Sequence, residues 1–205
     1  MSRSPEPTDA DLLARSLAGD EAAFLDLYRR TQGPVFRFAM QMSGSRSIAE
    51  DVTQEVFLAL ARDGSRFDST KGSLQSYLFG MTRNQVLRRF DKRATLVSID
   101  EERDGGDPLG AVESTTDQHG ELARAQTVEI VRRAVQSLPV NYREVVVLCD
   151  LQEVSYEDAA AALECAVGTV RSRLHRARAM LAERLQFVRE SSPETSRSAT
   201  TRFVV

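Results

Sequence analysis

Residues 167–181, VGTVRSRLHRARAML, set guanidinium, hydroxyl and imidazole groups along one side of a helix. Val167, Val170, Leu174, Ala177 and Leu181 recur at helical spacing and form a stripe that a helix hides. The opposite side carries Gly168, Thr169, Arg171, Ser172, His175 and Arg176, with Arg173 and Arg178 on its flanks. An arginine can bond a guanine edge through two N–H groups, and a Ser or Thr hydroxyl reaches bases or phosphates. Arg171, Ser172, His175 and Arg176 are therefore candidates for base or adjacent contacts, and Arg173 and Arg178 for phosphates. A solvated basic helix has a similar composition, so the segment before it decides. Ser155 and Asp158 make an S-x-x-D start signal for a helix from Tyr156 to Leu163. Residues 164–166 break the pattern, and the second helix opens near Val167. Cap, turn and second helix together read as a helix-turn-helix, whose second helix enters a DNA major groove.

Two further stretches carry usable chemistry. Residues 67–72, FDSTKG, are turn formers, and the helix SLQSYLFGMTRNQVLRRFDKR follows. Leu74, Leu78 and Met81 lie on one side of it, while Tyr77, Asn84 and Arg88 recur on another. Its basic end suits single-stranded DNA, with a base stacked on an aromatic ring and guanidinium groups on the backbone. A core tyrosine with a favourable C-terminal charge fits the same residues. Upstream, Ser47 is read as opening the helix IAEDVTQEVFLALARD, closed by Gly64. Ile48, Val52, Val56, Phe57 and Leu60 are its buried stripe, and Glu50, Asp51, Gln54 and Glu55 cluster on the exposed side. That cluster is either a solvated acidic face or a docking surface for a basic partner; periodicity alone leaves both open. As a metal site, Glu50, Asp51 and Glu55 lack a paired histidine, and the chain offers no phosphate loop or nucleophile–base set. No enzymatic activity is expected.

These groups need helices to position them. Thr8 caps a helix over 9–17, ended by Gly19, and Asp20 caps the next, with Phe24, Leu25, Leu27 and Tyr28 as its apolar stripe. Gly33-Pro34 either separates it from, or kinks it into, a helix over 35–42. From residue 98 to 121 the chain turns acidic, with Asp100, Glu101, Glu102, Asp104, Asp107, Glu113, Asp117 and Glu121 against Arg103 alone. A second group of helices follows, one from Leu122 to Ser137 and one with Pro139 in its first turn, carrying Val145, Val146, Leu148 and Cys149. The fold class is all-α. Two small helical domains, 8–95 and 122–188, are joined by a flexible acidic linker over 96–121 and followed by a disordered tail over 189–205.

Composition is compatible with this plan. The 205 residues are 41% hydrophobic and 28% charged, with a net charge of −3 that hides the segregation of acidic and basic stretches. The 27 basic residues include two lysines, Lys71 and Lys92. Cys149, Cys165, His119 and His175 have no metal-ligand spacing, so no metal, cofactor or disulfide framework is expected, and both cysteines read as core thiols. The N-terminal residues MSRSPEPTDADLL contain no apolar signal core and no run approaches membrane-spanning length, which reads as cytoplasmic with no membrane insertion.

In order, the segments AEDVTQEVFLAL, FDSTKGSLQSYLFGMTRN, SLPVNYREVVVL and VGTVRSRLHRAR give the chain a resemblance to bacterial sigma factors of the extracytoplasmic-function group. It covers roughly residues 20–93 and 122–185, which correspond to sigma regions 2 and 4. The resemblance implies an initiation subunit that binds core RNA polymerase and recognises promoter DNA. Glu50, Asp51, Gln54 and Glu55 fall where the family docks on the β′ clamp helices, with the β subunit as a further contact. Phe67, Lys71, Tyr77, Arg83, Asn84 and Arg88 fall where it captures the separated non-template strand of the −10 element. Gly168, Thr169, Arg171, Ser172, Arg173, His175, Arg176 and Arg178 fall where it reads the −35 duplex. An anti-sigma factor is the implied antagonist. Ile48, where an acidic residue is common, Tyr77 for tryptophan, Ala159 for a bulkier apolar residue and Glu164 for glycine depart from the pattern. The alternative is a stand-alone helix-turn-helix regulator, for which the acidic face and the Tyr77 helix have no use.

Overall fold

The computed structural model describes residues 6–97 and 118–191, with side chains over 6–91 and 126–186. Among these the regular structure is helical, without a strand. Helix α1 (Asp9–Leu17) starts at a reciprocal cap: Asp11 N–H donates to Thr8 Oγ at 3.2 Å, and Thr8 N–H donates to Asp11 Oδ2 at 3.0 Å. Helix α2 (Glu21–Ser43) opens on Asp20, whose carboxylate accepts the Ala23 N–H at 3.0 Å.

Gly33-Pro34 neither separates nor ends a helix, because α2 runs through Pro34 unbroken. An interior proline costs about 3 kcal/mol. Leu27, Val35, Phe38 and Met42 are almost fully buried on both sides of it, each worth roughly 1.5–3 kcal/mol. Packing outweighs the local penalty. Gly44, at φ 70°, ends the helix in a left-handed conformation that glycine takes without strain.

Helix α3 (Arg46–Asp63) is capped by Ser45, not Ser47: the Ile48 N–H donates to Ser45 Oγ at 3.4 Å, and Ser47 lies inside the first turn. A short 3-10 turn, Gly64–Arg66, leads to α4 (Leu74–Val97), where Ser73 Oγ accepts the Ser76 N–H at 3.2 Å. Helix α2 is the hub, packed on α1, α3 and α4. Phe38 meets Phe79 at 5.2 Å between ring centroids, and Tyr28 meets Phe57 edge-on at 4.8 Å.

The second domain begins with α5 (Gln118–Gln136), four residues ahead of the expected Leu122. Pro139 precedes α6 (Val140–Val146) as its N-cap instead of sitting in its first turn. The chain then widens into a π-helical turn over Val147–Leu151, for which the sequence carried no signal. Helices α7 (Tyr156–Ala162) and α8 (Val167–Ser191) complete the helix-turn-helix. Glu164, in the turn between them, takes φ 51°, the strained conformation expected of a non-glycine residue at that place. Most of the expected linker and tail, including the apolar end at 203–205, lies outside the described residues.

The two domains share one apolar cluster, and α4 lies against α7 while α2 touches α5 and α6. Arg143 joins them as a multiple helix cap. Its guanidinium donates to the Met42 carbonyl at 2.7 Å, to the Leu138 carbonyl at 3.1 Å and to the Gln136 carbonyl. Met42 and Gln136 sit in the last turns of α2 and α5, where carbonyls lack helical partners and a positive charge is favoured. Gln136 adds a side-chain bond to the Gln41 carbonyl. Burial lowers the Arg143 pKa, but three carbonyl acceptors keep the charge compensated.

Candidate nucleic-acid interface

The duplex-reading set occupies the outer side of α8. Val170, Leu174 and Ala177 are buried against α6 and α7, which turns Gly168, Arg171, Ser172, His175 and Arg176 outward. A side chain built at Gly168 would meet nothing within 4 Å, so the start of this helix is open to an approaching surface. Thr169 is half-buried, and its carbonyl accepts the Ser172 hydroxyl at 3.1 Å. The arginines divide by partner. Arg176 has none among the described residues. Arg171 lies over the Tyr156 ring at 5.8 Å, a cation–π distance that fixes its guanidinium while leaving its N–H edge exposed. Arg178 is held bidentately by Asp150 at 3.1 and 2.5 Å, which raises its pKa further. Arg173 turns toward the first domain and lies 3.7 Å from Glu144.

The strand-capture set divides in the same way. Phe67 and Tyr77 pack at 5.6 Å with their planes tilted by 52°, beside a cavity of about 270 Å³. Arg66, Asp68, Lys71, Ser73 and Ser76 line it from the first domain, and Ala161 and Glu164 from the second. Asp68 shapes the loop by accepting the Thr70 hydroxyl at 2.6 Å and its N–H at 3.0 Å, bonds that hold its carboxyl below the usual value of 3.8. Gly72, at φ 154°, has no substitute: a Cβ there would lie 3.2 Å from Ala161 Cβ. Asn84 and Arg88 are exposed farther along α4. Arg83 does not join them. It donates to the buried carboxylate of Glu144, with Nε–Oε2 at 2.5 Å. Glu144 is 1% exposed, and a charge so buried requires such a partner.

The acidic set stays together: Glu50, Asp51, Gln54 and Glu55 are all exposed on α3. Glu50 is paired with Arg46 at 2.8 Å and Glu55 with Arg89 at 3.1 and 2.9 Å. Asp51 and Gln54 have no such partner among the described residues. Sequence reasoning missed two extensions of this face. Leu58, one turn beyond Gln54 and Glu55, is 68% exposed. A groove of about 440 Å³ beside it is lined by Tyr28, Arg29, Gln32 and Phe36 of α2 together with Glu50 and Gln54. The amphipathic pattern of α2 was a signal, but only packing against α3 makes a groove of it.

Cys149 is half-buried, and burial pushes its thiol up to about 11, so it is protonated and inert near neutral pH. Among the described residues no cluster of His, Cys, Asp and Glu is placed to hold a metal ion, and no helix is long and apolar enough to cross a membrane.

Residues 27–95 match Sigma-70 region 2, and residues 129–181 match Sigma-70, region 4. The ECF RNA polymerase sigma factor SigM of Mycobacterium tuberculosis is 34% identical over 183 residues, 89% of this chain and 87% of the relative. The chain belongs to the ECF RNA polymerase sigma factors. SigE of Mycolicibacterium smegmatis is 32% identical over 201 residues, 96% of this chain and 74% of that one, and the sigma-E factor of Escherichia coli is 31% identical over 186 residues, 89% and 97%. Two solved structures have the same fold at a TM-score of 0.63. One is the sigma factor RpoE in complex with the anti-sigma factor NepR from Bartonella quintana, at 28% identity over 80% of this chain and 96% of that one. The other is CnrH in complex with the cytosolic domain of CnrY, at 25% identity over 90% and 99%. This sigma factor thus carries region 2 on α2–α4 and region 4 on α5–α8, and it is an alternative RNA polymerase sigma factor.

Proposed function

We propose that this sigma factor docks on core RNA polymerase through the exposed face of α3, with Asp51 and Gln54 at its centre and Glu50 and Glu55 beside them. The observation that carries the reading is the coexistence, in one ECF sigma chain, of that acidic face with two chemically different nucleic-acid surfaces. Phe67, Lys71 and Tyr77 surround a cavity with the aromatic floor and cationic rim that an unstacked base of the −10 strand requires. Asn84 and Arg88 extend that track, and Arg83 joins it when released from Glu144. On α8, Arg171, Ser172, His175 and Arg176 read the −35 duplex, while Thr169, Arg173 and Arg178 serve its phosphates. The protein is a non-catalytic subunit working in the cytoplasm, with an anti-sigma factor as its antagonist, as the complexes of RpoE and CnrH suggest.

Run-off transcription with purified core polymerase on a promoter library tests this reading. Start sites that require the protein and share two spaced elements are the expected result, and Asp51→Arg or Glu55→Arg abolishes them. A footprint on DNA without polymerase, and no new starts, would instead make the chain a stand-alone regulator.

A further inference from the structure

The donors around the strand-capture cavity are already engaged, and every acceptor comes from region 4. Asp158 Oδ1 accepts the Ser76 hydroxyl at 2.6 Å, the Ser73 hydroxyl at 2.7 Å and the Ser73 N–H at 3.4 Å. Glu144 accepts Arg83. Glu164 and Ala161 form the wall of the cavity opposite Phe67 and Tyr77. Two hydroxyls, a backbone N–H at a helix start and a guanidinium are a donor set that receives the oxygens of a nucleic-acid backbone. Carboxylate oxygens occupy all of them.

The contact is shaped for closure. Gly72 faces Ala161, and a Cβ on Gly80 would lie 3.3 Å from the Ala162 carbonyl, so α4 and α7 meet through small residues on both sides. The alanine run at 159–162, which includes the departure at Ala159, is what lets α7 approach so closely. Asp158 also leaves its local role half done: its N–H caps α7 through Ser155 Oγ at 3.0 Å, while its carboxylate reaches across to region 2. Despite burial, those hydroxyl and N–H bonds hold its carboxyl below the usual 3.8 and thus ionised near neutral pH. Arg173 of the duplex-reading helix converges on the same Glu144, so the closed arrangement draws on both DNA surfaces.

We propose that Glu144 and Asp158, roofed by Ala161 and Glu164, are an internal acidic mimic of nucleic acid that blocks the region 2 strand site until the domains part. This deepens the reading of that site as a strand binder and rests on it. The contact is polar and small, the kind that opens: each carboxylate regains water as its partner regains DNA. Binding by the free chain is weakened by the fraction of molecules that are open.

The test uses the full chain and a fluorescein-labelled oligothymidine dodecamer, with fluorescence anisotropy for affinity and small-angle X-ray scattering for domain separation. Asp158→Ala, Glu144→Gln and the wedge Ala161→Gln each attack the contact without touching a proposed DNA-binding residue. Each variant is expected to expand and to bind the oligonucleotide roughly tenfold more tightly, the factor for a site open in about a tenth of molecules. Adding Tyr77→Ala is expected to cancel the gain. Variants that expand but bind no better would overturn the mimic while leaving the strand site standing, provided they bind at all. Variants that neither expand nor bind better would show that the contact is no latch. Absence of binding by every form, expanded ones included, would remove the strand reading and the mimic together.

Discussion

Arg176 and Arg178 lie two residues apart on α8 and differ in what holds them. Arg176 is exposed without a partner among the described residues, whereas Arg178 must first leave Asp150. If Arg176 reads a base, Arg176→Ala weakens binding to the cognate −35 duplex by about 1–3 kcal/mol and leaves mismatched duplexes nearly unaffected. An equal loss on every duplex in anisotropy titrations would reassign it to phosphate. Residue types and helical spacing were enough to put these side chains on one face, because Val170, Leu174 and Ala177 fix the buried side locally. The sequence did not reveal which of them are engaged. Asp150, Glu144 and Tyr156 reach their arginines from other elements, and no spacing rule encodes such pairings. The same holds for Arg83, grouped by spacing with Asn84 and by packing with Glu144.

Helix starts were legible wherever a single side chain makes them. Thr8, Asp20 and Ser155 cap as their types predict, since the bond is made within three residues. Ser47 and Ser45 are both hydroxyl residues ahead of one apolar stripe, and only the backbone decides between them. The Asp20 cap carries a signature in pH. The Ala23 N–H, and then Arg15, hold its carboxyl below the ordinary 3.8. A carboxyl lowered on folding contributes stability that is present above its unfolded value and lost as pH falls through its folded one. Asp20→Ala is therefore expected to lower the urea midpoint at pH 7, and the difference from wild type to shrink steadily below pH 3.8. A difference that persists undiminished at pH 2 would show that the cap acts through shape alone. The unbroken passage through Pro34 was not legible, because the stabilising burial lies in contacts with α1, α3 and α4.

At the scale of the whole molecule, two helical domains could be read from composition and punctuation, but their contact could not. Ser73 and Asp158 are 85 positions apart, and Arg83 and Glu144 are 61 apart. Arg143 is the joint whose removal should be felt globally. Arg143→Met keeps much of the aliphatic volume and strips the Met42, Gln136 and Leu138 carbonyls of their donor. It is expected to cost about 1–3 kcal/mol in urea unfolding, the penalty for leaving buried acceptors unmet. An unchanged midpoint would mean that water replaces the guanidinium and that the helix ends need no cap from across the interface.

The π-helical turn at Val147–Leu151 has a consequence for descent with modification. Such a turn holds one residue more than the α-helix it interrupts, so one deletion there could restore an ordinary helix. Each residue of helix advances the chain by about 100°, so everything after the deletion would swing by that angle about the axis of α6. Asp158 and the reading face of α8 would be re-aimed together. A one-codon loss in this stretch would thus rotate the DNA reader and its acidic counterpart in one event, while any single substitution within either helix would leave their bearing unchanged.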